Sequence, residues 1–501
     1  MIVEFESDLD SATTYTLDLT GAIGDNNEGN MFPGYTLVFS TGDQIDSMGM
    51  TGIVQSSTNL MPVKGATVLL YKDHSDSALF LKRPVAAAKT DDWGYFSIRN
   101  IQDTLYRVYA IRDENGNNMY DPESELVAFL DTLFRPTRVV TDTLYEFLKF
   151  DMKDTAACMA RKTDVELNLF REKPSKQFIV KKERVGDRTG YITFMAPNAK
   201  INRIKFRNYP TKLLIKQFNI QKDSLEVWLN VQQRRMPDTL FLQVNYDKTD
   251  TLGNLVPTDE MCRLVLDGKA KAEAAKGPRR KVSHEDTIAV LTTQVSPETV
   301  EQYGFTLEFK YPLIEDGFKE LEFRSVNPRQ QEKKEQYRVR KDSTNLRRYT
   351  IMPKEKLLPG YEYFLKVPHR KFRDINGFYN DSTEMKVSLP KDESLSSLSL
   401  VLSGVKNEYI IDMLNEKRDK VLRSYIVDKP KTVVFPYLKA GKYCIRITED
   451  LNRNGIVDTG VLLEKKQPEK VRFYKIEDSF LIDIPEKTEM EQEIDIKALF
   501  Q

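Results

Sequence analysis

Cysteine, tryptophan and histidine are all scarce in this 501-residue chain, which has three, two and three of them. Cys158, Cys262 and Cys444 are odd in number, stand far apart and form no CxxC pair. That excludes a CxxC zinc or redox centre and leaves them as small buried hydrophobes. His74, His284 and His369 show no HExxH spacing, and a GxSxG elbow, a Walker loop and a strand-borne GxGxxG are missing too. The sequence therefore lacks the signatures of zinc peptidases, serine hydrolases and nucleotide-binding enzymes. No apolar run approaches the ~18 residues of a membrane helix, and no charged-then-apolar leader opens the chain. An excess of one charge is absent as well, because 75 Lys and Arg balance 75 Asp and Glu. Nothing in that balance points to nucleic acid or to an anionic membrane.

What the chain has is the vocabulary of strands and turns. Thr, Val, Ile, Tyr and Phe recur in short alternating runs divided by Asn, Asp, Gly and Pro, and long stretches of helical period are missing. Apolar residues at 40% are too many for disorder. The length implies roughly three to five domains.

One stretch occurs twice: YRVYAIRDENGNNMYD at 106–121 and YCIRITEDLNRNGIVD at 443–458. In each copy a tyrosine leads a strand and precedes the first loop aspartate by seven residues. Acidic or amide side chains then fall at loop positions 1, 3, 5 and 9: Asp113, Asn115, Asn117 and Asp121, then Asp450, Asn452, Asn454 and Asp458. Oxygen donors at this spacing are how a short peptide wraps a calcium ion, so the loops are candidate structural Ca²⁺ sites. Position 6, where the backbone turns sharply, holds Asn118 and Gly455, both tolerant of left-handed geometry. The bidentate glutamate of position 12 is replaced by Ser124 and Val461, with Glu125 and Glu464 nearby. Asx turns, in which the same side chains bond their own backbone, are the alternative. The loops at Asp25, Asn26, Asn27, Glu28 and Asn30 and at Asp374, Asn376, Asn380 and Asp381 read as turns.

Strand and turn signals divide the chain at 1–45, 46–125, 126–163, 164–267, 268–286, 287–391 and 392–501. The 268–286 segment, rich in Ala, Lys, Gly and Arg without an apolar face, is the clearest linker. The 1–45 segment holds too few strands for a sandwich, so the natural chain is expected to extend upstream, where an export signal would lie. An aliphatic residue stands five places before Tyr106, Tyr363 and Tyr443, as in a tyrosine corner, the alternative being half-buried strand tyrosines. Trp93 and Trp228 are expected as turn or core aromatics.

Across 46–125, TGIV, PVKGATVLLY and TDDWGYFSI follow the GxV, PVxGAxVxL and TDxxGxFxI pattern. The span thus resembles the carboxypeptidase-regulatory-like or Cna B-type module, a prealbumin-like sandwich. TTYTLDL, GDNNEGN and YTLVFSTG resemble the end of a bacterial Ig-like domain of the SbsA type. Their order resembles Ig-like-domain surface proteins of Bacteroidota. The resemblance implies an all-β chain of tandem immunoglobulin-like and prealbumin-like β-sandwiches, a lipoprotein anchor upstream, and a location in the cell envelope, at the outer-membrane surface or in the periplasm.

The expected function is that of a non-enzymatic envelope scaffold, a row of sandwiches holding a binding surface away from its anchor. Its partners would be envelope proteins or surface glycans, with no nucleic acid and no transmembrane segment in this chain. Two rivals stay open: an accessory lipoprotein of an outer-membrane machine for protein assembly or polysaccharide uptake, and a secreted hydrolase whose catalytic unit is unrecognised.

Overall fold

The computed structural model describes residues 5, 8–19, 24, 36–122, 124–138, 163–231, 236–265, 288–391, 396–477 and 479–501. The 25–30 loop, the 268–286 linker, Cys158 and His284 lie outside them. The fold class is the expected one, all-β, with tandem two-layer sandwiches. An opening hairpin pairs Thr14–Asp18 with Thr36–Ser40 and stacks Tyr15 on Phe39.

In the first sandwich Met48–Ser56 runs antiparallel to Tyr95–Ile101 and parallel to Val165–Leu169. The facing sheet orders Ala86–Lys89, Thr67–Tyr71, Arg107–Ile111 and Val127–Phe129. The last sandwich repeats the plan. Ser396–Ser403 runs antiparallel to Lys431–Leu438 and parallel to Glu489–Asp495. Its facing sheet orders Val421–Val427, Glu408–Asn415, Gly441–Asp450 and Val471–Phe473. Val165–Leu169 therefore sits in the first sandwich and not in the run that follows it, where alternation alone placed it. It completes a sheet edge and turns Val165, Leu167 and Leu169 into that core.

Between these two units lie a second sandwich, whose long hairpin Thr239–Thr249 and Leu255–Val265 packs on Ile192, Val227 and Leu229, and a third built on Phe305, Phe323, Leu365 and Phe372. Cys262 and Cys444 are buried and free, as small hydrophobes should be. Trp228 is fully buried, and Trp93 lies exposed on a turn. That turn needs Gly94: its φ is 72°, and a Cβ would collide with the Val54 carbonyl oxygen.

All three tyrosine corners form. The hydroxyls of Tyr106 and Tyr443 donate to the Gln102 and Lys439 carbonyls at 3.1 and 2.9 Å, and Tyr363 accepts from the Leu358 N–H at 2.7 Å.

One departure brings the repeated loops together. Strict alternation predicts one wet face per sheet, yet all five residues of Thr67–Tyr71 and all three of Val127–Phe129 are buried. Even-numbered Val68, Leu70, Val108 and Ala110 fill the sandwich core. Odd-numbered Leu69, Tyr71, Tyr109, Val127 and Phe129 pack outward under Ala78, Leu79, Tyr120, Phe170 and Leu462. Leu462 belongs to the last sandwich. In return, Leu60 of the first packs on Leu414, Cys444, Val471 and Phe473 of the last. The chain folds back on itself, first sandwich against fourth, where a row was expected.

Candidate functional site

The two repeated loops share one hydrogen-bond pattern. Each opens on an aspartate that caps the turn: Asp113 accepts from the N–H of Gly116 at 2.7 Å and of Asn118 at 3.0 Å, and Asp450 from Asn454 at 3.2 Å and Gly455 at 2.7 Å. Asn115 and Asn452 accept from the amide two residues on, and so do Asn117 and Asn454. Asn118 and Gly455 take φ of 55° and 72°, the left-handed turn expected at position 6. At the far end the amide groups of Asn115 and Asn452 donate to Asp121 and Asp458, each at 2.6 Å.

A buried glutamate closes each loop, and the sequence alone identified only one of the pair. Glu125, 1% exposed, accepts from the N–H of Glu114 and Asp121 at 3.0 and 3.1 Å. Glu469, 8% exposed, does the same for Leu451 and Asp458 at 3.1 and 3.0 Å. Glu464, nearer in sequence, is exposed and takes no part. The glutamate follows the closing aspartate by 4 residues in the first copy and by 11 in the second, and the seven extra residues form an excursion carrying Leu462. That offset is what hid Glu469 from a spacing argument.

Burial pushes both glutamate carboxyls above their ordinary range. A carboxyl with a raised folded pKa binds more protons folded than unfolded, so its contribution to stability falls as pH rises from the ordinary glutamate value of about 4.3 through the folded one. Relative to a Glu125→Gln/Glu469→Gln double variant, the natural chain is expected to gain melting temperature on acidification through that window. A scan of melting temperature against pH with parallel slopes for the two proteins would contradict this.

The structure also joins the loops to each other through three consecutive residues. Arg171 donates from Nη1 to the Ser124 carbonyl at 2.9 Å, and its own carbonyl accepts from Thr459 Oγ1 at 2.6 Å. Glu172 accepts from the Tyr120 hydroxyl at 2.9 Å through Oε2 and from the Leu462 N–H at 2.6 Å through Oε1. Lys173 Nζ sits 2.9 Å from Asp458 Oδ1. Burial pushes the Asp458 carboxyl up, but Lys173, Asn452 and Asn454 together hold it below the ordinary value. Around this bridge, Gln467 donates to the Phe129 carbonyl and to Asp131, and Lys465 pairs with Asp76 at 3.1 Å. Gly460 lies so close that a Cβ would meet the Phe170 ring at 2.7 Å.

The other joints use polar loops in the same way. Asn376, from a loop expected to be a turn, accepts from Arg188 of the second sandwich at 3.1 Å. Arg347 pairs with Glu226 at 3.1 Å beside Trp228. Gln302 and Tyr303 of the third sandwich donate to the Ser424 carbonyl of the fourth at 2.6 and 3.1 Å.

His74 and His369 are exposed, and among the described residues no three His, Cys, Asp or Glu side chains gather as a metal cluster. No helix of the described residues is long and apolar enough to cross a membrane.

No protein-family model matches the chain, and no curated protein does. Among solved structures, the MG0-NIE-MG1 span of Escherichia coli alpha-2-macroglobulin is similar at 9% identity and a TM-score of 0.16, covering 40% of this chain and 96% of that one. The BSP domain of a biofilm-associated protein aligns at 8% identity and 0.15 over 90% and 97%. The major pilin subunit BcpA of Bacillus cereus aligns at 10% and 0.16 over 89% and 99%. Likenesses at such TM-scores carry no argument about fold or function, and the sandwich fold stands on the strand pairing described above.

Proposed function

We propose that the protein is a non-enzymatic scaffold and interaction protein of the bacterial cell envelope, lipid-anchored and bearing a surface for envelope proteins or glycans. The observation that carries this reading is the use of the polar loops. Their aspartates, asparagines and glutamates are bonded into turns and into joints between sandwiches, which is the investment expected of a protein that works by holding shape. The envelope location rests on the resemblance of the order of modules, an Ig-like tail, the 46–125 sandwich and its Asp/Asn loop, to Ig-like-domain surface proteins of Bacteroidota. Fractionation of the native cells with protease treatment of intact cells tests it, together with a glycan array probed with the full chain. Recovery in the cytosol, or turnover of a glycan on the array, would overturn the proposal.

Calcium at the loops belongs to the same proposal, as a stiffener. The donor types are of the right kind, since each loop carries carboxylate and amide oxygens at positions 1, 3, 5 and 9. The first loop is the better host, because Asp458 already accepts Lys173, Asn452 and Asn454 side chains. With a dissociation constant of about 10⁻⁴ M, calcium at about a hundredfold excess should add about 2.7 kcal/mol. Calorimetric titration is expected to show heat that Asp113→Ala reduces more than Asp450→Ala does. Absence of heat in the natural chain removes calcium from the proposal.

A further inference from the structure

We propose that 171–173 is a latch that holds the first and fourth sandwiches together by coupling the two repeated loops. The proposal is independent of the envelope reading and of calcium. Each residue of the tripeptide faces both ways or closes the contact: Arg171 joins Ser124 to Thr459, Glu172 joins Tyr120 to the Leu462 amide, and Lys173 meets Asp458. The same three residues lead directly from the last strand of the first sandwich toward Ile179–Gly186, the first strand of the second. Their setting therefore fixes both the docking of the fourth sandwich and the departure of the chain into the second.

Two features mark the contact as built for docking. The seven residues by which the second loop exceeds the first form part of the contact with the first sandwich, and they place Leu462, 7% exposed, among Tyr109, Phe129 and Phe170. Both closing aspartates accept an amide of their own loop, but Asp458 takes in addition an ammonium from the connector that leaves the first sandwich. In the second copy the loop has become a receptor for a cation of this same chain. The tripeptide is the polar hub of a contact that also seats Leu462 among Tyr109 and Phe129, Gln467 on the Phe129 carbonyl and Arg446 on the Thr58 carbonyl, and its loss is expected to loosen that contact without unfolding either unit, whose cores are separate.

The test uses the full chain. Lys173→Glu reverses the charge facing Asp458 at a side chain that is 33% exposed, and so leaves both cores intact. Glu172→Ala removes the group shared by Tyr120 and Leu462. Each variant is expected to raise hydrogen exchange across 459–467 by about tenfold or more and to increase the radius of gyration in small-angle scattering, with sheet content by circular dichroism unchanged. Natural-level protection of 459–467 together with an unchanged radius in Lys173→Glu would overturn the latch. So would a natural chain whose scattering already fits an open string of sandwiches.

Discussion

Replacing Arg446 with methionine is expected to destabilise the outer sheet of the fourth sandwich by about 3–5 kcal/mol, the loss that follows when one member of a buried ion pair is removed. Arg446 and Asp412 stand opposite each other on neighbouring strands, 9% and 3% exposed. The guanidinium gives two hydrogen bonds to Asp412 Oδ2, at 2.7 and 3.1 Å, and a third at 2.9 Å to the Thr58 carbonyl of the first sandwich. Methionine fills the volume but leaves a carboxylate in an apolar layer with Leu414 and Cys444. Adding Asp412→Leu removes that carboxylate and should restore most of the loss, since an apolar pair of similar volume is often no worse than the ion pair. In a chain of several sandwiches a single melting temperature mixes domains. Hydrogen exchange along Glu408–Asn415 is the measurement, and equal protection in the single and double variants would contradict the argument.

Glu469→Ala should open the second loop by about 3 kcal/mol, because it strips the acceptor from the Leu451 and Asp458 amides inside a covered site and hydrogen bonds to a charged group contribute about 1.5–3 kcal/mol each. The neighbouring Glu464→Ala, at an exposed position, should stay within about 0.5 kcal/mol. Amide exchange of 450–458 in the two variants separates them. Similar rates in both would mean that Glu469 is not what closes the loop.

Much of this was legible in the sequence, for identifiable reasons. A strand feeding a polar loop keeps its spacing wherever it is copied, so Asp113 and Asp450, Asn115 and Asn452, Asn117 and Asn454, and Asp121 and Asp458 emerge as equivalent, and in both loops the first aspartate accepts the position-6 amide, the asparagines accept from the amide two residues on, and the closing aspartate accepts the position-3 asparagine. Tyrosine corners were legible too, since the hydroxyl reaches back a fixed distance along one chain. Contacts set by tertiary packing were not. Glu469 is displaced by the docking excursion, and no local period reveals that Thr67–Tyr71 has both faces covered. The parallel partner Val165–Leu169 joins Met48–Ser56 across more than a hundred residues, and only the closed sheet shows it. The bridge at 171–173 joins side chains nearly 290 positions apart, with nothing in REK to announce it.

The outward face of Tyr109, Phe129 and Phe170 has a consequence for biosynthesis. The last part of its cover, Leu462, is made almost three hundred residues after Phe170. At roughly 5–20 residues per second, the first sandwich waits about 15–60 s with the Leu462 part of that apolar face open to its surroundings. Over that interval a chaperone, or a neighbouring nascent chain, can compete for the place that the C-terminal unit will eventually take.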